Sequence, residues 1–297
     1  MRNDINRRDL LAAGAFGAAA AWCSGPVIAN RTKNAKVLFF TKSSGFEHDQ
    51  VRRKNGALGH AERVLIELGK QHGLDVEASK DGRIFDSDID RFDAFVFYTT
   101  GDLTKPGTDK QPPMSHKGKA ALLDAIQSGK GFAGTHSASD TFHSPGPRNQ
   151  NQDLKQRDPY IAMLGGEFVT HGRQQKTRME VVDARFPGMG KAGDRFSMHE
   201  EWYALKNFAP DLHVLLVNQT KGMTGKMYHR PPYPATWARR HGQGRVFFTS
   251  MGHRGDVWTN PTFQSIFAGG IRWACGLVDA DVTPNIEEVC PHADQLG

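Results

Sequence analysis

Four runs constrain this chain more than any other feature: KVLFFT at 36–41, AFVFYTT at 94–100, KGFAGTH at 130–136 and GRVFFTSMGH at 244–253. Each is apolar through its centre without alternation, the pattern of a strand covered on both faces. LDVEAS at 74–79 reads as a shorter strand. Helical patterns lie between them. Ala61, Val64, Leu65 and Leu68 fall at i, i+3, i+4 and i+7 within 56–71; Leu122, Ala125 and Ile126 mark a helix near 116–128; Phe263, Ile266, Phe267, Ile271 and Trp273 mark one near 260–276. Buried strands alternating with amphipathic helices predict an α/β fold with a doubly wound, mostly parallel sheet.

The middle of the chain is less regular. TRMEVVD (177–183) and LHVLLVNQT (212–220) read as further strands. DPYIAMLGGEFVTHG holds a short helix, a Gly-Gly break and a short strand, whereas 101–114 and 143–157 are polar, Pro-bearing loops. No internal repeat or convincing linker divides the chain, so residues 30–297 are expected to form a single domain.

Residues 1–29 are set apart from that domain. Arg7 and Arg8 precede an alanine-rich apolar stretch, and Val27 and Ala29 fit a small-residue cleavage pattern. The segment resembles a twin-arginine export signal and is too short and too weakly apolar to span a membrane stably. The expected location is periplasmic or secreted, with the twin-arginine export machinery as a partner and no stable membrane span once the signal is removed. That route carries folded proteins, often with a cofactor aboard, which favours a bound metal.

Of the three cysteines only Cys275 and Cys290 lie beyond the leader. They could form a disulfide tying the C-terminal tail to the last helix or remain buried thiols, and neither sits in a metal-type CxxC pair. The formal net charge of +6 is scattered rather than gathered into a stripe, so nucleic acid is not an expected partner.

In open parallel sheets ligands bind outside the carboxyl ends of the strands. That rule selects Thr41, Lys42, Ser43, Glu47 and His48 after the first strand, and Thr99, Thr100 and Asp102 after the third. It selects Thr135, His136, Ser137 and Asp140 after the fourth, and His253, Arg254 and Asp256 after the last. Two further segments join them: FVTHG places His171 at a strand end, and SMHEEWYAL sets His199, Glu200 and Glu201 beside Trp202 and Tyr203. Carboxylates beside aromatics suit a sugar, whose hydroxyls need acceptors and whose C–H faces need apolar cover.

Four chemistries can be weighed on these residues. Serine hydrolysis would want G-x-S-x-G at the turn, but Gly134-Thr135-His136-Ser137-Ala138 puts histidine in that place. Cysteine amide transfer lacks its cysteine. Two options remain open together: metal-assisted chemistry on His48, His136, His171, His199 or His253 with Glu200, Glu201 or Asp140, and metal-free acid/base chemistry by His136 or His253.

Five segments, KVLFFTKSSGFEHD, GFAGTHSASDTFH, LGGEFVTHG, HEEWYAL and GRVFFTSMGHRGDVWTNPTFQSIFAGGIRWACG, occur in an order that resembles ThuA-like (trehalose utilisation) proteins over roughly residues 35–277. The resemblance implies a flavodoxin-like fold similar to class I glutamine amidotransferases. His136 would occupy the place of the amidotransferase cysteine and His253 that of the catalytic histidine, with Asp256 an uncertain stand-in for its acid. Because HEEWY has Glu where the family commonly has an Asp-Glu pair, Glu201 is preferred over Glu200. The family is associated with trehalose and related disaccharides, and relatives with oxidation of glycosides at carbon 3.

The resemblance thus implies an enzyme acting on trehalose-like disaccharides or their 3-keto derivatives. The reaction would be elimination, hydrolysis or isomerisation, not amide transfer. The implied catalytic residues are His136, His253 and Glu201. Thr41, Ser43, His48, Thr135, Ser137, Asp140, Trp202, Tyr203 and Arg254 would bind substrate, and a divalent metal such as zinc is a candidate cofactor. The expected partner is a small carbohydrate, and a homo-oligomer is left open. The alternative is a non-catalytic periplasmic sugar-binding protein on the same fold. A tight cluster of His48, His136, His171, Glu201 and His253 would favour catalysis or metal; a broad cleft lined by Trp202, Tyr203, Tyr228 and Trp258 would favour binding. Dispersed histidines would leave a structural or interaction protein.

Overall fold

A computed structural model of the chain describes residues 34–297, and the expected leader at 1–29 lies outside them. The described residues, 34–297, form one compact unit. The strands in chain order are β1 (Ala35–Phe40), β2 (Leu74–Ser79), β3 (Ala94–Phe97), β4 (Gly131–Thr135), β5 (Glu167–His171), β6 (Gln175–Val181), β7 (Arg195–Glu200), β8 (Tyr203–Lys206), β9 (His213–Asn218), β10 (Tyr233–His241) and β11 (Gly244–Thr249). The helices are α1 (His60–His72), α2 (Ile84–Ser87), α3 (His116–Gln127), α4 (Pro159–Leu164), α5 (Gly255–Trp258), α6 (Pro261–Ala274) and α7 (Ile286–Val289).

The central sheet runs β2-β1-β3-β4-β11-β10-β9-β6-β7. Its first five strands are parallel and have the order of a flavodoxin-like doubly wound sheet. Side chains alternate along β1, which explains the unbroken apolar runs. Val37 and Phe39 pack with Leu65 of α1 and Phe263, Phe267 and Ile271 of α6. Leu38 and Phe40 face the other way, with Leu122 and Ile126 of α3 and Tyr160 and Ile161 of α4. Burying each such side chain contributes about 1.5–3 kcal/mol, so neither face tolerates a polar residue.

Helix starts follow local chemistry. Asn260 accepts from the amides of Thr262 and Phe263, with Pro261 in the first turn of α6. Ser115 accepts from the amide of Gly118 at the start of α3.

Beyond β11 the sheet continues antiparallel through β10, β9, β6 and β7, an extension the periodicity left partly hidden. The sequence pattern singled out no strand over Tyr233–His241, where Pro234 and the arginines of YPATWARRH interrupt the apolar run. The structure accommodates both features. The register of β10 on β9 shifts on either side of Thr236. The Arg239 guanidinium turns inward, onto the Ala162 and Met163 carbonyls and Asp211. A separate two-stranded sheet, β5 with β8, lies outside the main sheet and sets His171 opposite Tyr203.

The two polar loops are pinned. Asp109 accepts from the Ser43 amide at 2.7 Å and from Lys42 at 3.3 Å, holding 101–114 on the segment after β1. Lys206 donates to the carbonyls of Pro147 and Gln150 and to the side chain of Gln152, holding 143–157 on β8. No disulfide joins Cys275 to Cys290, so that alternative does not form. Burial pushes the Cys290 thiol up to about 12. Among the described residues no helix is long and apolar enough to cross a membrane.

Candidate functional site

Three histidines expected at three strand ends meet. His48 follows β1, His136 opens the 3-10 turn after β4, and His253 follows β11. Their ring centroids lie 5.0 Å (His48–His136), 5.3 Å (His48–His253) and 5.0 Å (His136–His253) apart, with the rings steeply inclined to one another. Glu201, just after β7, brings its Oε2 to 3.2 Å from His253 Nδ1 and 3.7 Å from His136 Nε2. His136 Nε2 and His253 Nδ1 are themselves 3.2 Å apart.

Local backbone aims these groups. His136 has φ +45°, a left-handed value uncommon outside glycine, and such strain concentrates at functional sites. Its Nδ1 faces the Ser250 carbonyl at 3.2 Å, which assigns the proton to Nδ1 and leaves a lone pair on Nε2. Gly252 precedes His253 at φ +123°, and a Cβ there would lie 2.5 Å from Thr135 Oγ1. Only glycine fits that turn.

Glu200, ranked below Glu201 from the sequence, has a structural part of its own. It is fully buried, and its carboxylate accepts from the amides of Gly252 (2.7 Å), His253 (2.9 Å) and Glu201 (2.8 Å). It ties the β7 end to the β11 end, and burial raises its pKa to about 7. The signal was the doubled acid in HEEW: two adjacent carboxylates at a strand end cannot both point the same way.

Burial, with His136 and His253 as neighbours, holds the His48 imidazole well below its usual range. Burial also lowers His136, although Glu201 pulls the other way. Burial alone would raise Glu201, but the adjacent imidazoles of His136 and His253 outweigh it and keep the carboxyl below its usual range. The cluster is therefore an ionised carboxylate among imidazoles, two of which are held neutral by burial. His48 Nε2 lies 3.4 Å from the Tyr203 hydroxyl, and His48 Nδ1 is buried without a hydrogen-bond partner.

The other expected residues divide. His171 stands one step out, its Nδ1 3.3 Å from Glu201 Oε1 and its ring stacked on Tyr203. His199 is exposed on β7 in the neighbouring cleft and does not join the metal-sized cluster. Asp140 is turned to His143 at 2.8 Å. Asp256 is exposed and paired with Arg254, so the acid of the cluster is Glu201.

Thr41 donates to Glu62, Thr135 donates to the Met251 carbonyl, and Trp202 is fully buried with its Nε1 on the Gln175 carbonyl. These three hold the scaffold and have no group facing a ligand. Tyr203 is buried beneath the cluster, its ring 4.1 Å from that of His136. Ser43 and Ser137 carry buried hydroxyls without a hydrogen-bond partner.

Two clefts flank the cluster and share Gln174. One, of about 410 Å³, is lined by Phe46, Asp49, Gln50, Gln174, His253 and Arg254 to Asp256. The other, of about 770 Å³, runs from His171 to Gln174 with His199 and Glu201. Phe46 was not expected, yet it is 67% exposed at the rim of the first cleft. An aromatic amid the polar run KSSGFEHD was the available signal. Neither polar loop, 101–114 or 143–157, lines these clefts.

Comparison with known proteins agrees with the fold. The structure of a putative ThuA-like protein from Parabacteroides merdae ATCC 43184 superposes with a TM-score of 0.56 at 18% identity, over 85% of this chain and 94% of that one. A putative ThuA-like protein from Bacteroides uniformis ATCC 8492 gives 0.58 at 16%, over 84% and 95%. At such identities the likeness is one of fold. No curated protein matches the chain. A family model described as ThuA, trehalose utilisation, matches residues 36–274, within which the whole cluster lies. The chain belongs to the ThuA family.

Proposed function

We propose that this protein is an exported enzyme that acts on a trehalose-like disaccharide or its 3-keto derivative by proton transfer at the His48–His136–His253–Glu201 cluster. The observation that carries this reading is the convergence of three imidazoles and one carboxylate, from four separate parts of the chain, beside open clefts. Perturbed titratable groups gathered at a cleft are what acid/base chemistry requires.

The chemistry follows from the residue types. A keto group at carbon 3 acidifies the neighbouring C–H bond. A base removes that proton, and the electron pair moves onto the keto oxygen as an enolate. The enolate either expels the glycosidic oxygen from the adjacent carbon, the leaving oxygen taking up a proton, or passes through the enediol, a proton moving from the neighbouring hydroxyl to the enolate oxygen, and is reprotonated at carbon 3 as the isomeric ketone. A neutral imidazole near neutral pH can take the proton, and a positively polarised partner must meet the developing oxyanion. The elbow at residues 134–138 has no nucleophilic cysteine, which argues against amide transfer.

The smaller cleft supports a sugar. Asp49, Gln50, Gln174, Arg254 and Asp256 offer donors and acceptors for hydroxyls, and Phe46 offers one aromatic face for C–H surface. The competing reading, a non-catalytic sugar-binding protein, expects a broad aromatic cleft. Trp202, Tyr203, Tyr228 and Trp258 are all buried, which weighs against it. Arg7 and Arg8 in the alanine-rich leader support export.

The test is an assay of the protein on 3-keto-trehalose, a simple 3-keto-glucoside and unoxidised trehalose, with product identified by mass spectrometry. Turnover lost in His136→Ala and His253→Ala supports the reading. Absence of turnover on all three sugars, or full turnover by both variants, overturns it.

A further inference from the structure

We propose that His48, His136, His253 and Glu201 form the ligand set of a divalent transition-metal ion of the zinc class, one per chain. The inference deepens the reading of the same site, but its geometry owes nothing to sugar chemistry.

Three donor atoms form a triangle: His136 Nε2 to His253 Nδ1 at 3.2 Å, His253 Nδ1 to Glu201 Oε2 at 3.2 Å, and His136 Nε2 to Glu201 Oε2 at 3.7 Å. Zinc bonds of about 2.0–2.1 Å in tetrahedral array place neighbouring ligand atoms roughly 3.4 Å apart. The triangle has the size of one tetrahedral face. A ring nitrogen of His48 supplies a fourth vertex, all four atoms lying within 4.8 Å of one another.

Hydrogen bonding alone does not account for this arrangement. With its proton on the Ser250 side, His136 presents a lone pair at Nε2. Glu201 Oε2 presents lone pairs from a carboxylate. His253 Nδ1 holds at most one proton to set between two acceptors. Such a concentration of lone pairs in a buried place calls for a cation.

The groups behind the ligands are those a metal site uses to orient its histidines. The Ser250 carbonyl backs His136, and the Tyr203 hydroxyl lies near His48 Nε2. Glu200 clamps the backbone of both His253 and Glu201. Three imidazoles with one carboxylate and no thiolate suit zinc, iron, cobalt or nickel better than calcium or magnesium, which prefer all-oxygen shells. With an ion held here the ligating imidazoles would have no lone pair left to take a proton, so the cluster would serve the proposed reaction by polarising a keto oxygen taken on as a fifth ligand.

The experiment needs no substrate. The full-length protein, stripped with EDTA and checked for folding by circular dichroism, is titrated with zinc and separately with cobalt(II). One equivalent of each should bind per chain, and cobalt should give the intense visible bands of a low-coordinate ion. His136→Ala and the near-isosteric Glu201→Gln should each weaken binding at least tenfold, whereas the exposed His199→Ala should leave it unchanged. If His136→Ala does not fold, Glu201→Gln and His253→Asn carry the comparison. No saturable binding by the folded protein, or binding unaltered in the folded cluster variants, overturns the proposal. Metal bound without turnover of any sugar would sink the functional reading and leave this one standing. Undiminished turnover by stripped protein that also shows no saturable metal binding would do the reverse.

Discussion

His136 Nε2 and His253 Nδ1 stand 3.2 Å apart across 117 positions of sequence, joined by neighbouring strands β4 and β11. Thr135 and Thr249 are register partners on those strands, so the chain turns away from the sheet at the same level twice. The first prediction rests on that pair. His136→Ala and His253→Ala should each lower kcat/KM on a 3-keto-glucoside by about 10²–10⁴-fold, the usual range for a lost acid/base group. Steady-state kinetics on variants shown to be folded by circular dichroism checks this.

Phe46 should matter to substrate and not to the fold. It is 67% exposed, so Phe46→Ala should change unfolding free energy by no more than about 0.5 kcal/mol. Loss of one aromatic face should raise KM roughly 2- to 10-fold with little change in kcat. An unchanged KM would remove Phe46 from the sugar-binding surface.

A second polar network, away from the cluster, should govern stability against pH. Burial opposes the charge on His143, but Asp140 at 2.8 Å and Glu167 at 3.1 Å outweigh it and raise its pKa, Arg148 pulling the other way. A raised imidazole contributes stability that is fully present below its unfolded value near 6.5 and is lost as pH rises through its folded value. Urea melts at pH 5.5 and pH 8.5 should show wild type losing more stability across that interval than His143→Asn. Equal losses would contradict the assignment.

Glu167 is the buried anion of that network. It accepts from the Ser144 amide and Asn207, and Lys206 lies 3.9 Å away with both side chains almost wholly buried. Truncating one partner leaves the other charge buried and unpaired, so Glu167→Ala should cost about 3–5 kcal/mol in denaturant unfolding. Lys206→Met in that background should recover part of the loss, because it removes the stranded cation.

The parallel half of the sheet was legible because burial on both faces writes itself into sequence as KVLFFT or GRVFFT, with no polar position to confuse the period. β10 was not, because YPATWARRH hides its inward arginine behind a charge that looks exposed. The strand-end rule found His48, His136 and His253 without knowing which strands are neighbours. The two segments added beyond that rule left His171 and His199 undistinguished: both line the same cleft, and only the pairing of β5 with β8 brings His171 to Glu201. Trp202 and Tyr203 looked like a sugar platform, but their rings are buried. Glu200 was named but ranked below Glu201, and its clamp on the backbone amides of Gly252 and His253 leaves no mark in side-chain patterns.

The strand order has a temporal consequence. His48 leaves the ribosome with the first strand and His253 only with the last strand of the sheet, after Glu200 and Glu201 are already out. A nascent chain halted anywhere before residue 252 has neither the glycine turn nor the final imidazole. It would also lack α6, whose Phe263, Phe267 and Ile271 pack against β1, so neither the core nor the cluster would be complete. Interrupted synthesis of this protein therefore yields inert fragments rather than half-active ones, and any reagent that recognises the assembled histidines reports only on chains whose synthesis has passed β11.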